Sequence, residues 1–423
     1  MTPLLAILLA AAAADPLTLD AALARAADHP RMSEVRAAAG QASAGIDQAR
    51  AGYLPTANAL ATYLPAQVDN GKGVPGAAAP VNAFYSSGIV VTQPIWDFGR
   101  TRGQVRSATL AEEATTSDLR AALRDVELNV RSAYYGVLAA EELVRVAKDA
   151  EKQMKDHLAL AKASFEVGRR SPFDVARAEV DVASARIAII QAESGVATAR
   201  SALSAAIGED VGWAPLERPA EEQVEDMTPA RAAEVALAQR PELSALELRL
   251  GAQRAAVSSA RSAFYPVVTA VGQLGWQGAQ MSRLGASQSW QVGVTVSVPL
   301  LAGGGDAARV HAQQAAFVQL ASQKATLALG VRAEAEQASL AVSEAKARMG
   351  AADVLQKQAQ DNLALAEGRY QAGVGSIIEL SDAQSSLTAA RGQRVRAGFD
   401  LASARARLAR SVGTPSAIGV PRS

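Results

Sequence analysis

The side chains that could do chemistry in this chain are few and scattered. Glu379 and Asp382 stand three positions apart in a stretch with helical character. That spacing puts both carboxylates on one helix face. Ser376-Ile-Ile-Glu379 also reads as a capping box, so Glu379 has a structural use at a helix start. Asp174 holds the matching place after Ser171, whereas Asp382 has no such duty. The three histidines, His29, His157 and His311, lie far apart and read as exposed helix residues. None has a partner at metal-ligand spacing, so neither a metal nor a cofactor is expected. Cysteine is absent, which excludes disulfides, thiolate sites and a lipid on a mature N-terminal Cys. Gly303-Gly-Gly-Asp306 lacks the Gly-Lys-Ser/Thr ending of a phosphate loop and reads as a strand-to-helix joint. The pair Arg169-Arg170 sits at a helix–helix turn, as a solvated tip or a partner contact. Basic and acidic residues balance at 42 each, which favours no nucleic-acid partner. No Ser/His/Asp arrangement occurs, and an enzyme is not expected.

The elements that must position these residues are organised around 290–305. Trp290, Val292, Val294, Val296 and Val298 alternate with small or polar residues. Strict period-2 alternation gives one apolar face and one wet or filled face. The run suits a tilted membrane strand of about 9–11 residues, with Trp290 where an aromatic girdle sits. Val292, Val294 and Val296 then face lipid, while Gln291, Thr295 and Ser297 face the other side. Pro299 ends the ladder and the glycines turn the chain.

Residues 1–14 read as a secretory signal peptide, apolar from Leu4 to Ala14 with small residues before Asp15. Residues 17–52 read as helix capped by Thr18, with Pro30 kinking or restarting it. Segments 55–65 and 84–94 read as strands around a loop of Gly, Asn and Pro. A proline-free stretch from about 104 to 167 would make roughly 95 Å of helix. Gly168–Pro172 turns the chain into a second helix, to about Ile207, with Ser171 as a possible cap. Residues 211–227 read as a connector and 415–423 as a tail.

The chain then repeats itself. Pro30 and Pro241 are 211 apart, as are Pro55 and Pro266. Past the strands the offset is 205, for Pro94 and Pro299, Gly168 and Gly373, and Gly208 and Gly413. The first half is therefore longer by six residues within its hairpin loop at 66–83. Each repeat, 15–210 and 228–414, reads helix–strand–strand–long helix–turn–helix. Four strands cannot close a membrane barrel, and lipid tolerates no open edge, so the chain must oligomerise. A dimer would give eight strands and a filled interior, a trimer twelve and a lumen. Ala-rich helices can pack closely around a hollow. The rival reading is a periplasmic coiled-coil scaffold with no pore.

Thr18-Leu-Asp-Ala-Ala-Leu23, Gln48-Ala-Arg-Ala-Gly-Tyr-Leu-Pro55 and Val91-Thr-Gln-Pro-Ile-Trp-Asp-Phe-Gly-Arg100 resemble the TolC family of outer-membrane efflux proteins. So does Arg369-Tyr-Gln-Ala-Gly-Val-Gly-Ser-Ile-Ile-Glu-Leu-Ser-Asp-Ala-Gln384. The resemblance implies an α + β membrane protein: a homotrimer whose 12-stranded β-barrel, four strands per chain, sits in outer-membrane lipid. It implies that the barrel continues into a long periplasmic α-helical coiled-coil barrel. It further implies docking to a periplasmic adaptor protein and an inner-membrane transporter, for efflux or type I secretion. The turn residues Gly168, Arg169, Arg170, Gly373, Val374 and Gly375 would be the docking tips. The resemblance places Glu379 and Asp382 at the constriction of the periplasmic mouth. Gly375 departs from the family pattern, in which a basic residue can lock that mouth, and leaves Tyr370 and Asp174 as tethers.

Overall fold

The computed structural model describes residues 16–68, 81–168, 170–219, 227–278 and 287–415. The expected leader, most of the first hairpin loop, residues 220–226 of the connector and nearly all of the tail lie outside the described residues.

The element order is the same twice. The first series is α1 (Leu19–Ala26), α2 (Pro30–Arg50), β1 (Thr56–Val68), β2 (Val81–Trp96), α3 (Arg100–Glu166) and α4 (Pro172–Ile207). The second is α5 (Pro229–Gln239), α6 (Pro241–Arg261), β3 (Val267–Gly278), β4 (Ser287–Ser297), α7 (Gly305–Gln371) and α8 (Ile377–Val412). Both α3 and α7 have 67 residues, and both α4 and α8 have 36. Pro30 restarts the helix rather than kinking it, because its missing N–H costs nothing at a first helical position. Thr18 and Thr228 accept bonds from Ala21 and Arg231 and start α1 and α5. β1 and β2 run longer than the sequence suggested, because weak alternation hides strand ends.

Contacts divide the chain into a helical unit (Met1–Arg36, Asp118–Leu243, Thr326–Ser423) and a sheet unit (Ala37–Ser117, Ser244–Ala325). Each unit draws on both repeats. In the sheet unit the strand order is β1-β2-β3-β4, antiparallel throughout. The outer edges of β1 and β4 have no partner strand among the described residues. The register collects the apolar positions. Ala57 pairs with Val91, Ala59 with Ile89 and Tyr63 with Tyr85, whose rings stack at 4.7 Å. Leu274 pairs with Trp290, Gly272 with Val292, Ala270 with Val294 and Val268 with Val296. Because Ile89 pairs with Leu274 and Val91 with Gly272, these sets form one face. The opposite face carries Thr56, Asn58, Thr92, Thr269, Gln273, Gln291 and Thr295.

In the helical unit, one core packs Leu17, Leu23 and Met32 on Leu123, Val130, Tyr134 and Ile207. The Tyr134 hydroxyl lies 2.7 Å from the Leu17 carbonyl and 2.5 Å from that of Glu217. Burial pushes its pKa up to about 12, so it stays a donor. In the same unit Arg410 donates to Asp125 and Glu334, and buried Arg240 clamps Glu334 at 2.6 and 2.9 Å. Helices α3, α7 and α8 and the C-cap of α5 meet in that ion-pair knot.

Candidate functional site at the helix turns

The carboxylates singled out above lie beside two helix–helix turns of the helical unit. At the first turn Gly168 takes φ +71°, and at the second Gly373 takes φ +82°. A left-handed residue ends a helix most cheaply when it is glycine. After Gly373, the N–H groups of Val374 and Gly375 both donate to the Arg369 carbonyl, at 3.1 and 2.9 Å. The backbone is folded so tightly there that a Cβ on Gly375 would lie 2.9 Å from the Tyr370 nitrogen. Gly375 is thus a packing requirement of this turn. The family's basic residue has no room at this position without moving the backbone.

The basic group at this level comes from the other turn. The Arg170 guanidinium lies 4.3 Å over the Tyr370 ring and donates to the Tyr370 carbonyl at 2.9 Å. Its Nε is 3.9 Å from Asp174, and only 17% of its side chain is exposed. Tyr370 is 3% exposed, and its hydroxyl has no hydrogen-bond partner among the described residues. Burial and then the Asp174 charge raise the Tyr370 pKa, while Arg170 opposes the shift. Asp174 and Tyr370 therefore meet through Arg170. The family resemblance left these two as tethers, and Arg170 read as a solvated tip or a docking contact. The missing signal was tertiary, since 200 positions separate Arg170 from Tyr370.

Two local expectations are corrected. Ser171 holds the N-cap position of α4 without making the cap bond; its hydroxyl instead donates to Asp174 at 3.2 Å. Ser376 does cap α8, accepting from the Glu379 N–H at 3.1 Å. The Glu379 carboxylate, however, reaches Arg369 at 3.0 Å. Glu379 and Asp382 are both exposed, and Asp382 has no ion pair among the described residues. Val374 is exposed at the turn, and Arg169 lies outside the described residues.

Further polar links join the two helix hairpins beyond the turns. Ser381 donates to Asp181 at 2.7 Å, Asp181 also receives Arg177 at 3.5 Å, and buried Gln384 donates to Gln153. His157 is half-buried and 3.4 Å from Glu367, which overturns its reading as an exposed helix residue. His29 lies 3.3 Å from the Ala205 carbonyl, and His311 is exposed. Among the described residues no cluster of His, Asp or Glu has a metal-binding arrangement. Gly303 and Gly304 take positive φ and form a strand-to-helix joint, as the sequence suggested. Such an arrangement holds two helix hairpins together through polar side chains.

Comparison with known proteins gives one consistent answer. The pattern of a family described as Outer membrane efflux protein matches residues 19–209 and 232–414. The chain is 27% identical over 351 residues to outer membrane protein OprJ of Pseudomonas aeruginosa, covering 80% of this chain and 71% of OprJ. It is 25% identical over 342 residues to alkaline protease secretion protein AprF of the same organism, covering 77% and 68%. Among solved structures, a membrane protein from Pseudomonas aeruginosa superposes with TM-score 0.83 at 24% identity, covering 95% of this chain and 92% of that one. The outer membrane protein VceC of Vibrio cholerae superposes with TM-score 0.80 at 19% identity, covering 93% and 96%. The structural likenesses show the fold.

Proposed function

The chain belongs to the outer membrane efflux protein family, and on that premise we propose that it is the outer-membrane channel of a tripartite efflux or type I secretion system. The observation that carries this is the four-stranded sheet with one apolar face and two edges that have no partner strand among the described residues. Open edges are not tolerated in lipid, so copies of the sheet must close on one another. Three copies give twelve strands and a lumen wide enough for water. The apolar face, with Val292, Val294 and Val296, meets lipid, and the Thr/Gln/Asn face lines the lumen. The two repeats, 15–210 and 228–414, each supply one hairpin to the barrel, and 211–227 connects them. The channel is passive; its energy comes from an inner-membrane transporter, reached through a periplasmic adaptor.

The turns Gly168–Ser171 and Gly373–Ser376 form the adaptor-facing end. The exposed Val374 offers an apolar contact there. Asp382 and Glu379 contribute carboxylate rings at the mouth under threefold symmetry, which favour cations. The Arg170–Tyr370–Asp174 contact keeps neighbouring hairpins together in the closed mouth. The names of similar proteins divide between efflux and secretion, and the partner pump selects the cargo. The proposal includes no catalytic step.

The test is reconstitution. Protein extracted from outer membranes should run as a heat-labile trimer and give discrete cation-selective conductance in planar bilayers. A monomer without conductance would overturn the channel reading.

A further inference from the structure

The sheet unit carries a second pattern, at the end where its strands join helices. Tyr53, Leu54, Ile95, Trp96, Phe98, Phe264 and Tyr265 are all exposed there. Phe98 stacks on Tyr265 at 5.4 Å and meets Trp96 edge-on at 6.0 Å. Leu300 and Leu301, between β4 and α7, are 92% and 93% exposed. They occupy the places that Ile95 and Trp96 hold in the first repeat, 205 positions earlier. A joint that exposes apolar side chains in both repeats is a collar, continuous with the apolar face of the sheet.

Immediately beyond the collar the charge becomes one-sided. Within about three helical turns of the strand ends stand Arg50, Arg100, Arg102, Arg106, Arg261 and Arg309. Three acids share this zone, Asp47, Asp97 and Asp306. Asp47 pairs with Arg50 at 3.6 Å, and Asp306 with Arg309 at 3.6 Å. Asp97 pairs with no arginine among the described residues. Its carboxylate accepts from the Gly99 N–H at 3.1 Å, the Thr101 N–H at 2.7 Å and the Thr101 hydroxyl at 2.5 Å. Arg100, Arg102, Arg106 and Arg261 are left without an ion pair among the described residues. The last three are exposed. The whole chain has no net charge, so this excess is a local polarity.

We propose that this arginine belt below the aromatic collar binds the anionic phospholipid headgroups of the membrane leaflet on the helical side of the barrel. Guanidinium forks match phosphate oxygens bidentately, which suits arginine better than lysine for the task. The collar rings sit at headgroup depth, as aromatic side chains do at membrane interfaces. The arginines one to three turns further on then reach the phosphate layer from the water side. The belt fixes the depth of the barrel and selects the lipid around it. This inference rests on the outer-membrane reading of the sheet.

The test uses the full trimer with Trp213, Trp276 and Trp290 replaced by Phe, so that Trp96 in the collar reports alone. The protein is placed in phosphatidylcholine vesicles carrying brominated phosphatidylglycerol or brominated phosphatidylcholine. Quenching should show a roughly fivefold preference for phosphatidylglycerol at low salt, weakening as salt rises. Arg102→Gln, Arg106→Gln and Arg261→Gln together should bring the preference close to one. These side chains are exposed and unpaired, so the variant keeps its fold. Equal quenching by the two lipids in the parent, or an unchanged preference in the triple variant, overturns the belt. So does a variant that alters ion selectivity and leaves lipid preference intact, because the arginines then line the lumen. Bilayer conductance of the same samples is read in parallel: its loss in the parent refutes the channel, independently of the lipid result.

Discussion

Replacing Arg170 by Gln tests the proposed closed mouth at its most connected point. The substitution removes a charge-assisted hydrogen bond to the Tyr370 carbonyl, worth about 1.5–3 kcal/mol. It removes a largely buried stacking contact on the Tyr370 ring, worth about 1–2 kcal/mol. The ion pair with Asp174 at 3.9 Å adds under about 1 kcal/mol. Against this, freeing the side chain returns up to about 2 kcal/mol of rotamer entropy. The net loss is roughly 2 kcal/mol per copy, which shifts the balance between joined and parted hairpins by about 30-fold. Single-channel recording in planar bilayers should therefore show longer and more frequent openings. Arg170→Lys, which keeps the charge and loses the fork, should fall between the two. The thermal stability of the detergent-solubilised trimer separates a local effect from global unfolding, since the core around Tyr134 does not involve Arg170. If Arg170→Gln gates like the parent while the trimer is intact, the clamp is not part of the closed state. Loss of export without any change in gating would instead make Arg170 a docking residue.

Three further outcomes are expected. Asp382→Asn with Glu379→Gln should weaken divalent-cation block and cation selectivity in planar bilayers; unchanged block would remove these carboxylates from the mouth. Arg at Val294 should cost about 2–4 kcal/mol of membrane insertion near the midplane, and Arg at Thr295 far less; urea titration of folding into vesicles that finds equal costs would reverse the assignment of faces. The third concerns pH. Burial acts to raise the Asp97 pKa, but the hydrogen bonds from Thr101, Gly99 and Arg100 outweigh it and hold the group below the ordinary carboxylate range. A depressed folded pKa stabilises fully above the unfolded value, and that share is lost as pH falls through the folded one. The β2–α3 joint should thus loosen only at acidic pH below the usual carboxylate range. Asp97→Asn should remove that acid dependence, as read by hydrogen exchange at Gly99 and Thr101.

Much of this protein was legible in one dimension because its elements are long and repeated. Proline and glycine at fixed offsets marked the ends of both 67-residue helices, since proline cannot continue a helix and glycine takes the left-handed cap position most cheaply, both through local backbone preferences. Alternation along Trp290–Val298 marked β4 for a similar reason: the period of a strand is a property of its own backbone. The faces of β1 and β2 were less clear. Ala57 and Ala59 carry little signal alone, and only the register beside Val91 and Ile89 joined them to the apolar face. Side-chain partners were beyond the sequence altogether. Arg170 looked like a solvated tip or a docking residue because its partner Tyr370 lies 200 positions away, and His157 looked exposed because Glu367 is 210 away. Gly375 looked like a missing lock, and the fold shows a backbone too close to admit one. Local sterics and periodicity are written residue by residue. Contacts between repeats depend on how two hairpins come to lie side by side, and only the folded chain decides that.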